Sequence, residues 1–231
     1  MLQQINIESY TLNQFNVDFE QAKNLFSKGL EALSKNDLRA AEIAFLQSLA
    51  LMPERATTLS NLTEVQIRLG KYQEALTSGM QLIALEPENA ETWFSCGMAA
   101  SYLGYKLDAV HFFEEALKTT AKHPQTYINI GIGFQKLGRL DQALISHEKS
   151  LALDPQNAIA INCRGDVLID LCRLEEALLC FDRAIELKRN YPVAYNNRGY
   201  VLLKLSMFQE SLVNFDRAID LMPEYAEASD Q

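Results

Sequence analysis

Residues 124–157 read PQTYINIGIGFQKLGRLDQALISHEKSLALDPQN. Apolar side chains recur at helical spacing on both sides of Gly138. Pro124 stands where a helix can begin, and Pro155 stands just after the point where a second helix would end. Because glycine can adopt the left-handed conformation that closes a helix, this stretch predicts two helices joined by a tight turn. No alternation with a period of two indicates a β-strand.

The same pattern returns every 34 residues. Steps of 34 from Pro53 reach Pro87, Pro155 and Pro223, and each of the two remaining steps is followed three residues later by Pro124 or Pro192. The prolines therefore mark the boundaries of an internal repeat. The repeat divides the chain into a lead segment, six windows and a remainder: 1–21; 22–55, 56–89, 90–123, 124–157, 158–191 and 192–225; and 226–231.

Fixed small and large residues within the windows predict closely packed helix pairs. Position 8 is glycine in five windows, position 20 is alanine in five, and position 24 is phenylalanine in four. The second window departs from this pattern with Thr63, Gly79 and Leu82 at positions 8, 24 and 27. Together these features resemble the tetratricopeptide repeat family. The resemblance implies an all-α fold, a right-handed α-solenoid (superhelix) of antiparallel helix pairs.

Composition and charge argue against several functional classes. The chain has 231 residues and a net charge of −9, which disfavours binding to nucleic acid or to an anionic membrane surface. No apolar run approaches the roughly 18 residues of a membrane span, so no membrane insertion is expected. The N-terminus does not read as a secretory signal, and the four cysteines lack zinc-type spacing. These features predict a reducing, cytoplasmic location.

No catalytic, cofactor or metal site is expected from the residue pattern. The histidines His111, His123 and His147 show no spacing typical of metal ligands, and His147 occupies an aromatic core position. The Gly131-Ile-Gly133 segment lies in a predicted helix and lacks the strand that a phosphate-binding loop requires. The sequence therefore predicts a protein that is not an enzyme.

The two ends leave alternatives open. Residues 1–21 form a lead segment or helix extension that joins the first helix from Val17, and the apolar residues before Val17 allow either a frayed end or cap, or a strap that packs on the first repeat or in a groove. Residues 226–231 read as the start of a seventh first helix or as a short cap. Leu212, Phe215 and Ile219 need a neighbour, which could be that segment, a partner or second copy, or a longer natural chain.

The resemblance also implies where a partner binds. In the family, positions 2, 5, 6, 9, 12 and 13 of the first helices line a concave groove. Amides can bind the backbone of an extended peptide through paired donors and acceptors. The residues implied are Asn61, Asn129 and Asn197 at position 6, Asn162 and Asn196 at position 5, Asp166 and Tyr200 at position 9, and the apolar Phe26, Phe94 and Met98 in the N-terminal half.

Three functional hypotheses follow. The first is a scaffold for protein–protein interaction that binds a peptide or helix of a partner protein in the groove. The second is a substrate-presenting module of a larger enzyme, because the asparagine row is similar to that of O-linked N-acetylglucosamine transferases, although Ser27, Ser95 and Cys163 interrupt it. The third is self-association through the N-terminal segment or the C-terminal end face.

Overall fold

The computed structural model describes residues 2–119 and 123–222, with side chains from residue 14 onward. The described residues form helices joined by short turns and contain no strand. They belong to two compact units that divide after Thr119. The remainder 226–231 and Pro223 lie outside the described residues.

The described residues of each unit form three helical hairpins. In the first unit the helices are α1 (Leu2–Ser34), α2 (Leu38–Leu51), α3 (Ala56–Arg68), α4 (Tyr72–Leu85), α5 (Ala90–Tyr102) and α6 (Lys106–Lys118). In the second unit they are α7 (Pro124–Lys136), α8 (Leu140–Leu153), α9 (Ala158–Asp170), α10 (Leu174–Leu187), α11 (Pro192–Lys204) and α12 (Phe208–Asp220). Within a unit every helix packs against the next one along the chain, which confirms the predicted all-α solenoid.

Helix α1 is much longer than the other helices. It begins at Leu2 and runs without interruption into the first window. Phe15 and Val17 are more than half exposed, and the Phe15 and Phe19 rings stack with their centroids 6.5 Å apart. The lead segment is thus helical and continuous with the first hairpin, while its predicted docking as a strap remains a prediction.

Glycine at position 8 allows the two helices of a hairpin to approach closely. A Cβ atom on Gly97 would lie 2.5 Å from a ring carbon of Phe113, a separation that real Cβ atoms do not show. In the second hairpin a Cβ atom on Gly79 would lie 2.5 Å from Cys96 Sγ of α5 and 3.6 Å from a methyl carbon of Thr63. Gly79 therefore makes room mainly for a side chain of the next hairpin.

The residue at position 15 of each window lies in the turn between the two helices of a hairpin and has a left-handed backbone conformation. Gly70, Gly104 and Gly138 have φ values of 74°, 79° and 70°, as the glycine pattern predicts. The other three turns adopt the same conformation with Asn36, Cys172 and Ser206, for which φ is 57°, 58° and 62°. Glycine therefore signals only half of these turns.

Candidate functional site

The first helices of neighbouring hairpins form one surface in each unit. In the second unit α9 contacts both α7 and α11, and in the first unit α3 contacts α5. Helix α9 starts at Ala158 because the Oδ1 atom of Asn157 accepts hydrogen bonds from the amides of Ile159 and Ala160, at 3.1 and 3.0 Å. The α7–α9–α11 face is defined by positions 2, 5, 6, 9, 12 and 13 of these three helices, which carry polar side chains from all of them.

A hydrogen-bonded network joins α9 to α11 on this face. The Nδ2 atom of Asn197 donates to Asp166 Oδ1 at 2.7 Å and to Asn162 Oδ1 at 3.4 Å. Asn162 is buried, whereas Asp166 and Asn197 are half-buried. The structure thus brings together three of the predicted site residues and fixes the amide of Asn197 over α9.

A separate hydrogen bond joins α7 to α9 on the same face, through two residues that were not singled out in the sequence. The Nε2 atom of Gln135 donates to Asp170 Oδ2 at 2.7 Å. Gln135 and Asp170 stand at positions 12 and 13, which the family resemblance places in the groove. That register was the signal that could have identified them.

Two carboxylates, Asp166 and Asp170, lie on α9 at the centre of this face, and its margins carry the exposed Lys136 and Lys204. Burial, reinforced by the neighbouring Asp170 carboxylate, raises the pKa of Asp166 to about 7. Burial, with a contribution from Asp166, raises the pKa of the Cys163 thiol to about 11. Among the described residues, no lysine or arginine forms an ion pair with Asp166 or Asp170. Neither carboxylate therefore has an ion-pair partner in the part of the chain that the structure describes.

Three further predicted residues lie on the same face without joining the network. Asn129 Oδ1 accepts a hydrogen bond from Gln125 Nε2 at 2.9 Å, within α7. Asn196 is exposed on α11. Tyr200 is 40% exposed, and the Lys204 ammonium lies 5.2 Å from its ring centroid. These side chains are accessible to a partner.

The predicted residues of the first unit are placed differently. Asn61 Nδ2 donates to the Thr57 carbonyl of its own helix at 2.8 Å. Phe26 and Phe94 are half-buried, with their rings 5.7 and 5.9 Å from those of the core residues Phe45 and Phe113. Met98 is also half-buried. The apolar patch thus belongs partly to the core of its unit.

The titratable side chain of His147 packs in the core, away from the α7–α9–α11 face. His147 is fully buried against Gly131, which confirms its predicted core position.

The part of the chain that the structure describes contains no group of three or more His, Cys, Asp or Glu side chains that could hold a metal ion. None of the described helices is both long enough and apolar enough to cross a membrane.

Comparison with protein families identifies the repeat. A family model described as a tetratricopeptide repeat matches residues 126–159, and another described as a TPR repeat matches residues 165–206. Both matches fall in the unit that carries the α7–α9–α11 face. Comparison with curated proteins gave no match.

Solved structures share the fold at low sequence identity. A tetratricopeptide repeat protein from Parabacteroides merdae has a TM-score of 0.72 at 18% identity, covering 87% of this chain and 80% of that one. YrrB, a TPR protein with an unusual peptide-binding site, has a TM-score of 0.60 at 21% identity, covering 81% and 98%. MamA from Desulfovibrio magneticus has a TM-score of 0.62 at 21% identity, covering 73% and 96%. Identities this low show likeness of fold alone.

Proposed function

We propose that this chain, a tetratricopeptide repeat protein, is a non-enzymatic scaffold that binds a segment of a partner protein on the α7–α9–α11 face. The observation that carries the proposal is the network in which Asn197 bridges to Asp166 and Asn162. It holds polar groups from two helices in a fixed arrangement before any partner binds. Such pre-organisation reduces the entropy that binding costs.

The chemistry of the face favours a particular kind of segment. Asn129 and Asn196 offer side-chain amides, which can donate to and accept from a peptide backbone. Asp166 and Asp170 form no ion pair with a described residue, so a lysine or arginine of the partner placed beside them would relieve their mutual repulsion. The segment we propose is therefore a peptide or helix with at least one basic side chain facing α9.

Two further observations support this reading. YrrB, which shares the fold, is described as having a peptide-binding site, so the fold is compatible with this class of ligand. All four cysteines of this chain are free. A reducing compartment such as the cytoplasm accommodates free thiols, and we propose that the interaction takes place there.

A peptide array followed by solution binding tests the proposal. The intact protein is applied to arrayed nine-residue peptides, and the strongest binder is labelled for fluorescence anisotropy. We expect the best peptides to contain lysine or arginine. Asn197→Ala should weaken binding of the selected peptide at least about tenfold, because it removes both the hydrogen-bonded network and the contact of Asn197 with the peptide.

A matched control is available on the second helices. Glu148 is exposed on α8, so Glu148→Gln changes a surface charge away from the α7–α9–α11 face. Its dissociation constant should equal that of the unmodified protein. If Glu148→Gln weakens binding while Asn197→Ala does not, the proposed face is rejected.

A further inference from the structure

Helices α10 and α12 are near copies of each other. Residues 181–187 read FDRAIEL and residues 215–221 read FDRAIDL, so the two segments differ only in the acidic residue near the end. Both helices are the second helix of a hairpin in the same unit. Whatever covers α10 is therefore a guide to what α12 can bind.

The face of α10 is covered by α11. Leu174, Leu178 and Ile185 pack into the cluster that contains Ala194 and Val201 of α11. At the edge of this contact the Nε atom of Arg198 donates to Asp182 Oδ1 at 2.6 Å, an ion pair between the two helices. An apolar stripe flanked by one acidic residue thus receives a helix that supplies an arginine.

The described residues leave the corresponding face of α12 uncovered. Phe208, Leu212 and Ile219, the counterparts of the three apolar residues of α10, are 65%, 54% and 56% exposed. Asp216, the counterpart of Asp182, forms no ion pair with any described residue. Large apolar side chains grouped in this way mark an interaction surface, and the Asp216 carboxylate gives that surface a specific charge requirement.

The helices that cover second helices in this unit share a sequence pattern. Residues 160–168 of α9 and residues 194–202 of α11 both read A-x-x-x-R-G-x-V-L. In α11 the alanine and the valine are fully buried against α10, and the arginine reaches the aspartate. We propose that the exposed face of α12 is a docking site for an amphipathic helix of a partner protein that carries this pattern, with its arginine paired to Asp216.

A second copy of this chain does not fit the site. Helix α1 carries the exposed Asn24 and Glu31 at the register positions of Ala194 and Val201, so docking it on α12 would bury an amide and a carboxylate. Two α12 helices placed face to face would bring Asp216 and Asp220 of both copies together, because these acidic residues border the apolar stripe. Charge and burial therefore favour a partner helix with a basic residue.

A charge-reversal experiment tests the pairing. The probe is a fluorescein-labelled peptide with the sequence of residues 189–206, the segment that contains α11, added to the intact 231-residue protein. We expect saturable fluorescence anisotropy. Asp216→Arg in the protein should weaken binding about tenfold or more. Arg198→Asp in the peptide should restore binding to the Asp216→Arg protein.

The matched control is Glu210→Arg, which makes the same charge change on α12 outside the apolar stripe and should leave the dissociation constant unchanged. Circular dichroism confirms that each variant keeps its helices. An unchanged affinity for Asp216→Arg would overturn the proposal. So would peptide binding seen only after residues 223–231 are removed, or a dimer in light scattering without peptide, because either result would identify a different occupant.

Discussion

His147 occupies the place that phenylalanine takes in four of the other hairpins. Its ring lies against Gly131, and a Cβ atom on that glycine would meet the ring at 2.5 Å. Neither ring nitrogen has a hydrogen-bond partner among the described residues, and burial lowers the pKa of His147 to about 4. The imidazole thus fills the space that a phenyl ring fills in other hairpins, but its two ring nitrogens are left without hydrogen bonds to described residues.

Replacement of His147 by phenylalanine is expected to stabilise the protein, most of all in mild acid. In the unfolded chain the histidine takes up a proton near its ordinary pKa of 6.5, whereas the folded chain resists protonation down to about pH 4. The folded state therefore loses stability as the pH falls from 6.5 towards 4. For His147→Phe, the drop in the free energy of unfolding between pH 7 and pH 5 should be smaller by about 2 kcal/mol.

Urea unfolding of both proteins at pH 7 and pH 5, followed by circular dichroism, measures this difference. His111→Phe serves as the control because His111 is exposed. An equal pH dependence for the His147→Phe variant and the unmodified protein would contradict the burial of a neutral imidazole.

The turn residues show a limit to predicting backbone conformation from residue type. Gly70, Gly104 and Gly138 predict left-handed turns because only glycine adopts that conformation without a steric penalty. Cys172 and Ser206 adopt the same conformation, although neither cysteine nor serine indicates it from residue type. Their conformation follows from the hairpin packing on either side, so only the 34-residue register could have predicted it.

At the scale of helices, the 34-residue register indicated which candidate residues share a face, but not which of them contact each other. Asn162, Asp166 and Asn197 were named from their positions in the first helices, and the structure joins them. The hydrogen-bonded pairs are 31 and 35 residues apart in the sequence. The repeat period does not show which way such distant side chains point. The helix pairing was predictable from small and large residues, whereas the half-buried charge of Asp166 required the packed structure.

That charge is expected to cost stability. Because the pKa of Asp166 is raised from 3.8 to about 7, the folded chain holds a proton that the unfolded chain releases. The free energy of unfolding therefore falls as the pH rises through this window. Asp166→Asn removes the charge and keeps an oxygen that can accept from Asn197, so it should raise the free energy of unfolding at pH 8 by at least about 1 kcal/mol.

The same change should impair partner binding. Chemical denaturation at pH 5 and pH 8 gives the stability, and anisotropy with a lysine-containing array peptide gives the affinity. Increased stability at pH 8 together with weaker binding would identify a carboxylate that is kept for recognition. Lower stability at pH 8 would refute the raised pKa. Asp141→Asn, which replaces an exposed carboxylate on α8, provides the control.

Across the whole molecule, the distribution of charge separates two classes of partner. The net charge is −9, and eight basic side chains of the described residues are already in ion pairs with acidic neighbours, among them Lys71 with Glu42 and Arg173 with Glu176. Asp166 and Asp216, by contrast, have no cationic partner in the described parts of the chain. Eight of the 21 basic residues are thus paired with acidic neighbours, and each proposed binding surface includes a carboxylate that has no ion-pair partner among the described residues.

We therefore expect the protein to bind basic peptides and not nucleic acids. A phosphate backbone requires clustered lysine or arginine side chains and releases counterions when they bind it. In electrophoretic mobility assays at physiological salt, neither duplex DNA nor single-stranded RNA should be retarded. Binding of the lysine-containing peptide should weaken as salt is raised, because salt screens the attraction between the lysine and the exposed Asp170 carboxylate. A retarded duplex would show that the net charge hides a basic surface, and salt-independent peptide binding would show that the carboxylates do not contribute.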